Sequence, residues 1–364
     1  MNPSTQKLHE LGQRIWLDNI TRHLLNSGKL KRYIADLSVT GLTSNPTIFE
    51  HAIRAGADYD EAIRQLVACN LTGEGLFFEL ALQDLTQAAK LFRAIFDASG
   101  GVDGWVSLEV SPLLANDTAK TVKAAALLHA RAALPNLFIK IPGTPAGLEA
   151  IEQSIFDGIP INVTLLFSRE HYIAAAESYM SGLERRLEAG LDLQVESVAS
   201  LFVSRWDVAV KEEISPQFHN RLGIAMAMQT YKAYRDLLAS ARWRKLAAAG
   251  ARPQRLLWAS TGTKDPAASA TLYVDALAAT DTINTMPEKT LLAYAEHGKL
   301  DTSLPDDGGY AELVIAEFRR EGVDDAALAA RLQSEGVEAF VKSWLALLLL
   351  ISEKSSQVAN GYVV

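Results

Sequence analysis

Apolar residues fall into short runs separated by long amphipathic stretches, a rhythm that predicts a parallel sheet with crossover helices. Eight runs read as strands: Arg14 to Asp18, Val39 to Thr43, Trp105 to Glu109, Leu137 to Lys140, Ile161 to Thr164, Ser197 to Val203, Leu256 to Ser260 and Asp281 to Thr285. Between them, stretches such as Glu74 to Phe96, Asp117 to Ala133, Ser168 to Ala189 and Asn220 to Ala249 are each long enough for a crossover helix. Eight such units predict closure into a (β/α)8 TIM barrel. Periodicity alone leaves an open, doubly wound sheet as the alternative.

No linker or low-complexity segment divides the chain, so one domain over residues 1–364 is the economical reading. Residues 287–358 continue as helices without a further strand, interrupted by a loop from Leu300 to Gly309. They form a C-terminal extension that packs on the barrel exterior or over one rim. Within it, the apolar run Trp344 to Ile351 is too short to span a bilayer and predicts a buried helix of the scaffold.

Each predicted strand finishes on polar residues. Asp18 follows Ile15 to Leu17; Thr43, Ser44 and Asn45 follow Leu42; Glu109 follows Leu108. Lys140 follows Leu137 to Ile139, Asn162 and Thr164 punctuate the fifth run, Ser200 and Arg205 surround Leu201 to Val203, and Ser260 follows Ala259. In a barrel these ends converge on one mouth, the C-terminal face where such folds hold their active sites. Taken singly, each has a plainer role: Asp18 as a helix cap, Ser44 and Asn45 with Pro46 as turn chemistry, Thr164 as core filler. Lys140 on its own could snorkel out of the strand or pair with a structural carboxylate. An acid, a base and an amine at successive strand ends are harder to explain that way.

Composition narrows the partners. With 49% hydrophobic and 21% charged residues the chain has material for a large core. A net charge of -8 argues against nucleic acid and against an anionic membrane as partners, so any phosphate recognition must be local. The lone Cys69 reads as a small buried hydrophobe, and the first residues lack the apolar core of a signal peptide; a cytoplasmic location fits both. The seven histidines show no ligand spacing and there is no glycine-rich nucleotide motif, so neither metal nor organic cofactor is expected. A monomer and a homodimer are both compatible with this composition.

A free lysine has a pKa of about 10.4, and apolar walls or a nearby cation can depress it by several units. The neutral amine attacks a ketone, and loss of water gives a protonated Schiff base that acts as an electron sink. An aspartate can then remove the hydroxyl proton whose departure permits carbon–carbon cleavage. A glutamate and a threonine can hold a shuttling water. Arg205 offers a fork for a phosphate, and Ser260 to Lys264 a hydroxyl-rich loop with a cation.

The segments Trp16 to Asp18, Thr43 to Pro46, Val106 to Val110, Phe138 to Lys140, Ile161 to Ser168, Ser200 to Arg205 and Ala259-Ser260, in this order, resemble the transaldolases. These are Schiff-base enzymes of the non-oxidative pentose phosphate pathway, expected to be (β/α) barrels acting on phosphorylated sugars without a cofactor. The resemblance implies that Lys140 forms the Schiff base, that Asp18 is the general acid/base, and that Glu109 and Thr164 hold the catalytic water. It implies that Asn45, Asn162 and Ser200, flanked by Thr43 and Ser44, hold the dihydroxyacetone unit, and that Arg205 and Ser260 hold the phosphate. Better-known members place a second phosphate arginine two residues after the serine, whereas this chain reads Ser260-Thr-Gly-Thr-Lys264, so the cationic role is carried to Lys264. Phe202 stands where related fructose 6-phosphate aldolases are expected to have tyrosine, which disfavours simple aldolase activity. A non-catalytic sugar-phosphate binding barrel is the competing reading from another class.

Overall fold

Eight parallel strands form in the computed structural model, which describes residues 1–359: β1 (Arg14–Asp18), β2 (Val39–Thr43), β3 (Val106–Glu109), β4 (Leu137–Pro142), β5 (Ile161–Leu166), β6 (Ser197–Phe202), β7 (Arg255–Ala259) and β8 (Ile283–Met286). They pair in the order β2-β1-β8-β7-β6-β5-β4-β3. The two ends of that order meet, because Leu42 N donates to the Trp105 carbonyl (3.0 Å) and Gly104 N to the Thr40 carbonyl (3.0 Å). A Cβ on Gly41 would lie 2.7 Å from the Trp16 ring and 2.8 Å from the Trp105 carbonyl, so this seam closes over a residue without a side chain. The barrel expectation holds over the open-sheet alternative.

Successive side chains of a strand point to opposite faces, and here both faces are dry. Ile15, Leu17, Ile139, Ile141, Val163, Leu201, Leu256 and Trp258 join the core between barrel and helices. Trp16, Phe138, Val198, Leu257 and Ile283 form the barrel's interior cluster. There Phe138 stacks on Trp105 with ring centroids 4.1 Å apart, and Trp16 lies 6.1 Å from Phe138. Two residues further along the same strands stand Asp18, Lys140, Ser200, Ala259 and Thr285. An apolar floor therefore underlies a polar mouth.

Several expectations are corrected. β4 and β5 run two residues past their expected ends, so Lys140 and Thr164 sit inside strands, paired on both sides for Lys140. β5 bulges against β6 between Val163 and Leu166, where Leu165 has φ 59°. The stretch Asn220 to Ala249 is two helices, Leu222–Ala239 and Ala241–Ala248, because Ser240 leaves helical geometry and its Oγ accepts from Trp243 N (3.1 Å). Cys69 is exposed, not buried: it caps the end of the helix Asp60–Ala68, off the face that carries Ala62 and Ile63.

After β8 come the helices Glu288–His297, Ala311–Arg320 and Asp325–Ala359. The last packs against the helices Pro46–Arg54, Asp60–Ala68 and Gly73–Ala98 and against β5. Trp344 to Ile351 lies within it and is buried on one side only. Trp344, Leu347 and Ile351 face inward, whereas Leu345 and Leu349, on the other side of a 3.6-residue turn, are 53% and 62% exposed. Among the described residues no helix is long and apolar enough to cross a membrane.

Candidate active site

Strand register gathers the chemistry. Parallel pairing sets Glu109 beside Lys140, Lys140 beside Asn162, and Asp18 beside Thr43, so these groups enter the barrel from adjacent strands at matched levels. Past β4, Thr144 caps the next helix, its Oγ1 accepting from Gly147 N (3.1 Å). Lys140 Nζ donates to the Ser44 carbonyl at 3.1 Å and lies 3.2 Å from Glu109 Oε2. Both side chains are buried. The approach to Glu109 is off-axis, and neither of its oxygens has a hydrogen bond among the described residues. On another side of the amine, the centroid of the Phe340 ring is 5.5 Å from Nζ.

Burial raises the pKa of both acids. It pushes the Asp18 carboxyl above the ordinary aspartate range, although the Lys140 charge, the Thr43 hydrogen bond and the Lys264 charge all pull it down. It pushes Glu109 up as well, against the Lys140 ammonium at its side. Both are thereby suited to exchanging protons nearer neutral pH than an exposed carboxylate.

Hydroxyls and amides lock the layer. Thr43 Oγ1 donates to Asp18 Oδ1 (2.8 Å) and lies 2.6 Å from Thr285 Oγ1. Ser200 Oγ donates to Asn162 Oδ1 (2.8 Å), Asn162 Nδ2 to Ser107 Oγ (3.2 Å), and Ser44 Oγ to the Ser107 carbonyl (2.8 Å). Thr164 Oγ1 is buried without a partner among the described residues. Asn45 is a helix cap: its Oδ1 accepts from Ile48 N (3.0 Å) ahead of Pro46, and it lines the cavity as well. Asp18 caps nothing; its partner is Thr43.

A cavity of about 320 Å³ opens at this mouth. Asp18, Thr43, Asn45, Lys140, Thr164, Ser200, Phe202, Arg205, Ser260 and Lys264 all line it, while Ser44, Glu109 and Asn162 stand just behind. Two carboxylates near Arg205 in sequence, Asp207 and Glu196, are both engaged elsewhere. Asp207 accepts from Leu222 N (2.9 Å) and Tyr273 Oη (2.8 Å), and Glu196 accepts from Arg252 (2.7 Å). The Arg205 guanidinium instead lies 5.4 Å from the Phe202 ring centroid. Among the described residues neither Arg205 nor Lys264 has a carboxylate within 4 Å. Ser260 is held in the left-handed region at φ 56°, its Oγ 2.8 Å from Ser204 Oγ.

Sequence reading passed over Thr285, Thr47, Ile48, His51 and Phe340, which also line the cavity. Thr285 ends the eighth predicted strand, so the polar-end rule pointed to it although no role was assigned. Thr47, Ile48 and His51 follow from Asn45, since the helix it caps begins at the mouth. Phe340 had no signal, because it comes from the far C-terminal helix.

The family model described as "Transaldolase/Fructose-6-phosphate aldolase" matches residues 15–351. The chain belongs to this family. It is 42% identical over 363 residues to a protein named "Transaldolase" from Saccharopolyspora erythraea, covering 98% of this chain and 99% of that one. It is 43% identical to a "Transaldolase" from Thermobifida fusca, with 97% and 99% covered, and 42% identical to one from Thiobacillus denitrificans, with 95% and 99% covered. The transaldolase/fructose-6-phosphate aldolase match thus takes in both β1 with Asp18 and the part of the last helix that carries Phe340.

Proposed function

We propose that this chain is a transaldolase of the non-oxidative pentose phosphate pathway. It moves a dihydroxyacetone unit from sedoheptulose 7-phosphate to glyceraldehyde 3-phosphate, giving erythrose 4-phosphate and fructose 6-phosphate. The observation that carries this reading is Lys140: a buried amine whose partners are one carbonyl and one off-axis carboxylate, opening on a cavity that Asp18 also lines.

Lys140 Nζ adds to the ketone carbon of the donor, and the carbinolamine loses water to leave a protonated imine. Asp18 takes the proton from the hydroxyl beyond the scissile bond; that bond breaks, its electrons flow to the imine, and the aldose leaves. The enamine left on Lys140 attacks the acceptor aldehyde, Asp18 returns the proton, and water releases the new ketose. Glu109, its carboxyl pushed up by burial, and Thr164, whose hydroxyl has no partner among the described residues, hold and deprotonate that water. Thr43, Ser44, Asn45, Asn162 and Ser200 shape and bind the dihydroxyacetone end. Arg205, Ser260 and Lys264 take the phosphate.

Fructose 6-phosphate aldolase activity would release dihydroxyacetone instead. Phe202 lines the cavity without a hydroxyl that could activate water, which favours transfer. A cytoplasmic location remains part of the proposal, resting on the lone cysteine, which can form no intrachain disulfide.

The test is borohydride reduction in the presence of fructose 6-phosphate, followed by peptide mapping, beside a coupled assay of transfer. Label is expected on Lys140 alone and none in Lys140→Met. A label on another lysine, or full activity in Lys140→Met, would overturn the mechanism.

A further inference from the structure

The last helix does more than cover scaffold. Gln333, Gly336, Phe340, Trp344, Leu347 and Ile351 recur at helical spacing and form one stripe toward the barrel. Gln333 Nε2 donates to the carbonyls of Gly143 (3.1 Å) and Leu165 (3.0 Å), immediately past β4 and at the bulge beside Thr164. At Gly336 a Cβ would meet Leu165 at 2.9 Å and Arg205 at 3.5 Å, so the helix sits flush on the phosphate-side wall. Further along, Thr47 Oγ1 donates to Ser343 Oγ (2.8 Å) and Trp344 Nε1 to Glu74 Oε1 (3.0 Å). The helix is thereby tied on both sides of the mouth, and Phe340 lies between the ties. Its ring is 6% exposed, lines the cavity and stands 5.5 Å from Lys140 Nζ.

We propose that Phe340 is a wall of the reaction chamber that keeps water from the enamine on Lys140, and so sets how often the dihydroxyacetone unit is transferred and how often it is lost. This rests on the Schiff-base reading above. The enamine has two fates. It can attack an aldehyde, forming a carbon–carbon bond, or it can take a proton at carbon, after which water adds across the imine and releases free dihydroxyacetone and the amine. A ring over Nζ favours a cation there, but it does so for lysine ammonium and protonated imine alike, so that attraction cannot select between the fates. Occupying the space from which water would reach the adduct can.

The experiment measures dihydroxyacetone released per transfer event in wild type, Phe340→Leu and Phe340→Ala, with borohydride-trapped adduct counting active sites. This ratio is independent of how much protein is folded. It is expected to rise several-fold in Phe340→Ala and by less in Phe340→Leu, which keeps part of the volume. An unchanged ratio in a variant that still forms the adduct overturns the inference while leaving the transaldolase reading intact. Should Phe340→Ala fail to fold, Phe340→Leu decides by the same criterion. A wild type that neither traps an adduct nor transfers would instead overturn the reading of function, and the inference with it.

Discussion

The floor and the mouth of the barrel are made by the same strands two residues apart, yet they obey opposite rules. At the floor Trp16, Phe138, Val198, Leu257 and Ile283 need only volume and shape, and Phe138 is completely buried between Trp105 and Trp16. At the mouth Lys140, Ser200 and Thr285 need partners because each has lost water, and part-buried Asp18 is held by Thr43. The comparison teaches that the floor makes the mouth reactive. Burial raises both carboxyls, and the apolar floor closes the barrel beneath Lys140.

The sharpest way to break this pairing is to remove mouth chemistry while leaving the floor untouched. Asp18→Asn keeps shape but cannot accept a proton, so cleavage and transfer should fall by about a hundred- to ten-thousandfold while the borohydride adduct still forms. The wild-type pH profile supplies the matching sign. Asp18 acts ionised and its carboxyl is raised by burial, so activity is gained as pH rises through a pKa higher than that of a free aspartate. The acid limb of kcat/KM should therefore lie above pH ~3.9 and shift when Asp18 is replaced. Unchanged cleavage in a folded Asp18→Asn enzyme would make Asp18 a structural partner of Thr43.

Breaking the floor should do the reverse. Phe138→Ala empties a fully buried aromatic site and is expected to cost about 3–5 kcal/mol in a denaturant titration, while activity per folded molecule falls less than in Asp18→Asn. A catalytic loss matching that of Asp18→Asn, without loss of stability, would erase the distinction between the layers.

The smallest effect sharpens the picture at the phosphate end. Arg205→Ala should weaken use of glyceraldehyde 3-phosphate by about one to two powers of ten, the worth of a charged hydrogen bond, and change use of unphosphorylated glyceraldehyde far less. Lys264→Ala should show the same selectivity with a smaller loss, since an ammonium lacks the guanidinium's fork. Equal losses on both acceptors would make Lys264 a solvated loop charge with no part in phosphate binding.

Much of this was readable before any fold. The rule that a strand ends on a polar residue located Asp18, Thr43, Lys140, Thr164, Ser200 and Ser260 at the mouth, because strand direction in a barrel makes all C-terminal ends neighbours. The same reading misplaced Cys69 and took Trp344 to Ile351 as a buried helix, which the structure covers on one side only. An apolar run cannot reveal which side of a helix is covered until its neighbours are known, and here Leu345 and Leu349 face away from them.

The sequence by itself determined the alternation of strand and helix, the dry floor, and the residue types presented above it, since these depend on local periodicity and on chain direction. The plainer role offered for Asn45, turn chemistry with Pro46, gave way in the structure to a helix cap at the rim. Only the tertiary structure decided that Arg205 is free of Asp207 and Glu196, because those carboxylates are claimed by Tyr273, two backbone amides and Arg252. It also decided that a helix from the end of the chain brings Phe340 over Lys140. That contact joins residues with no local relation in sequence, and it exists because Gly336 and Gln333 let the helix settle on the edge of β5.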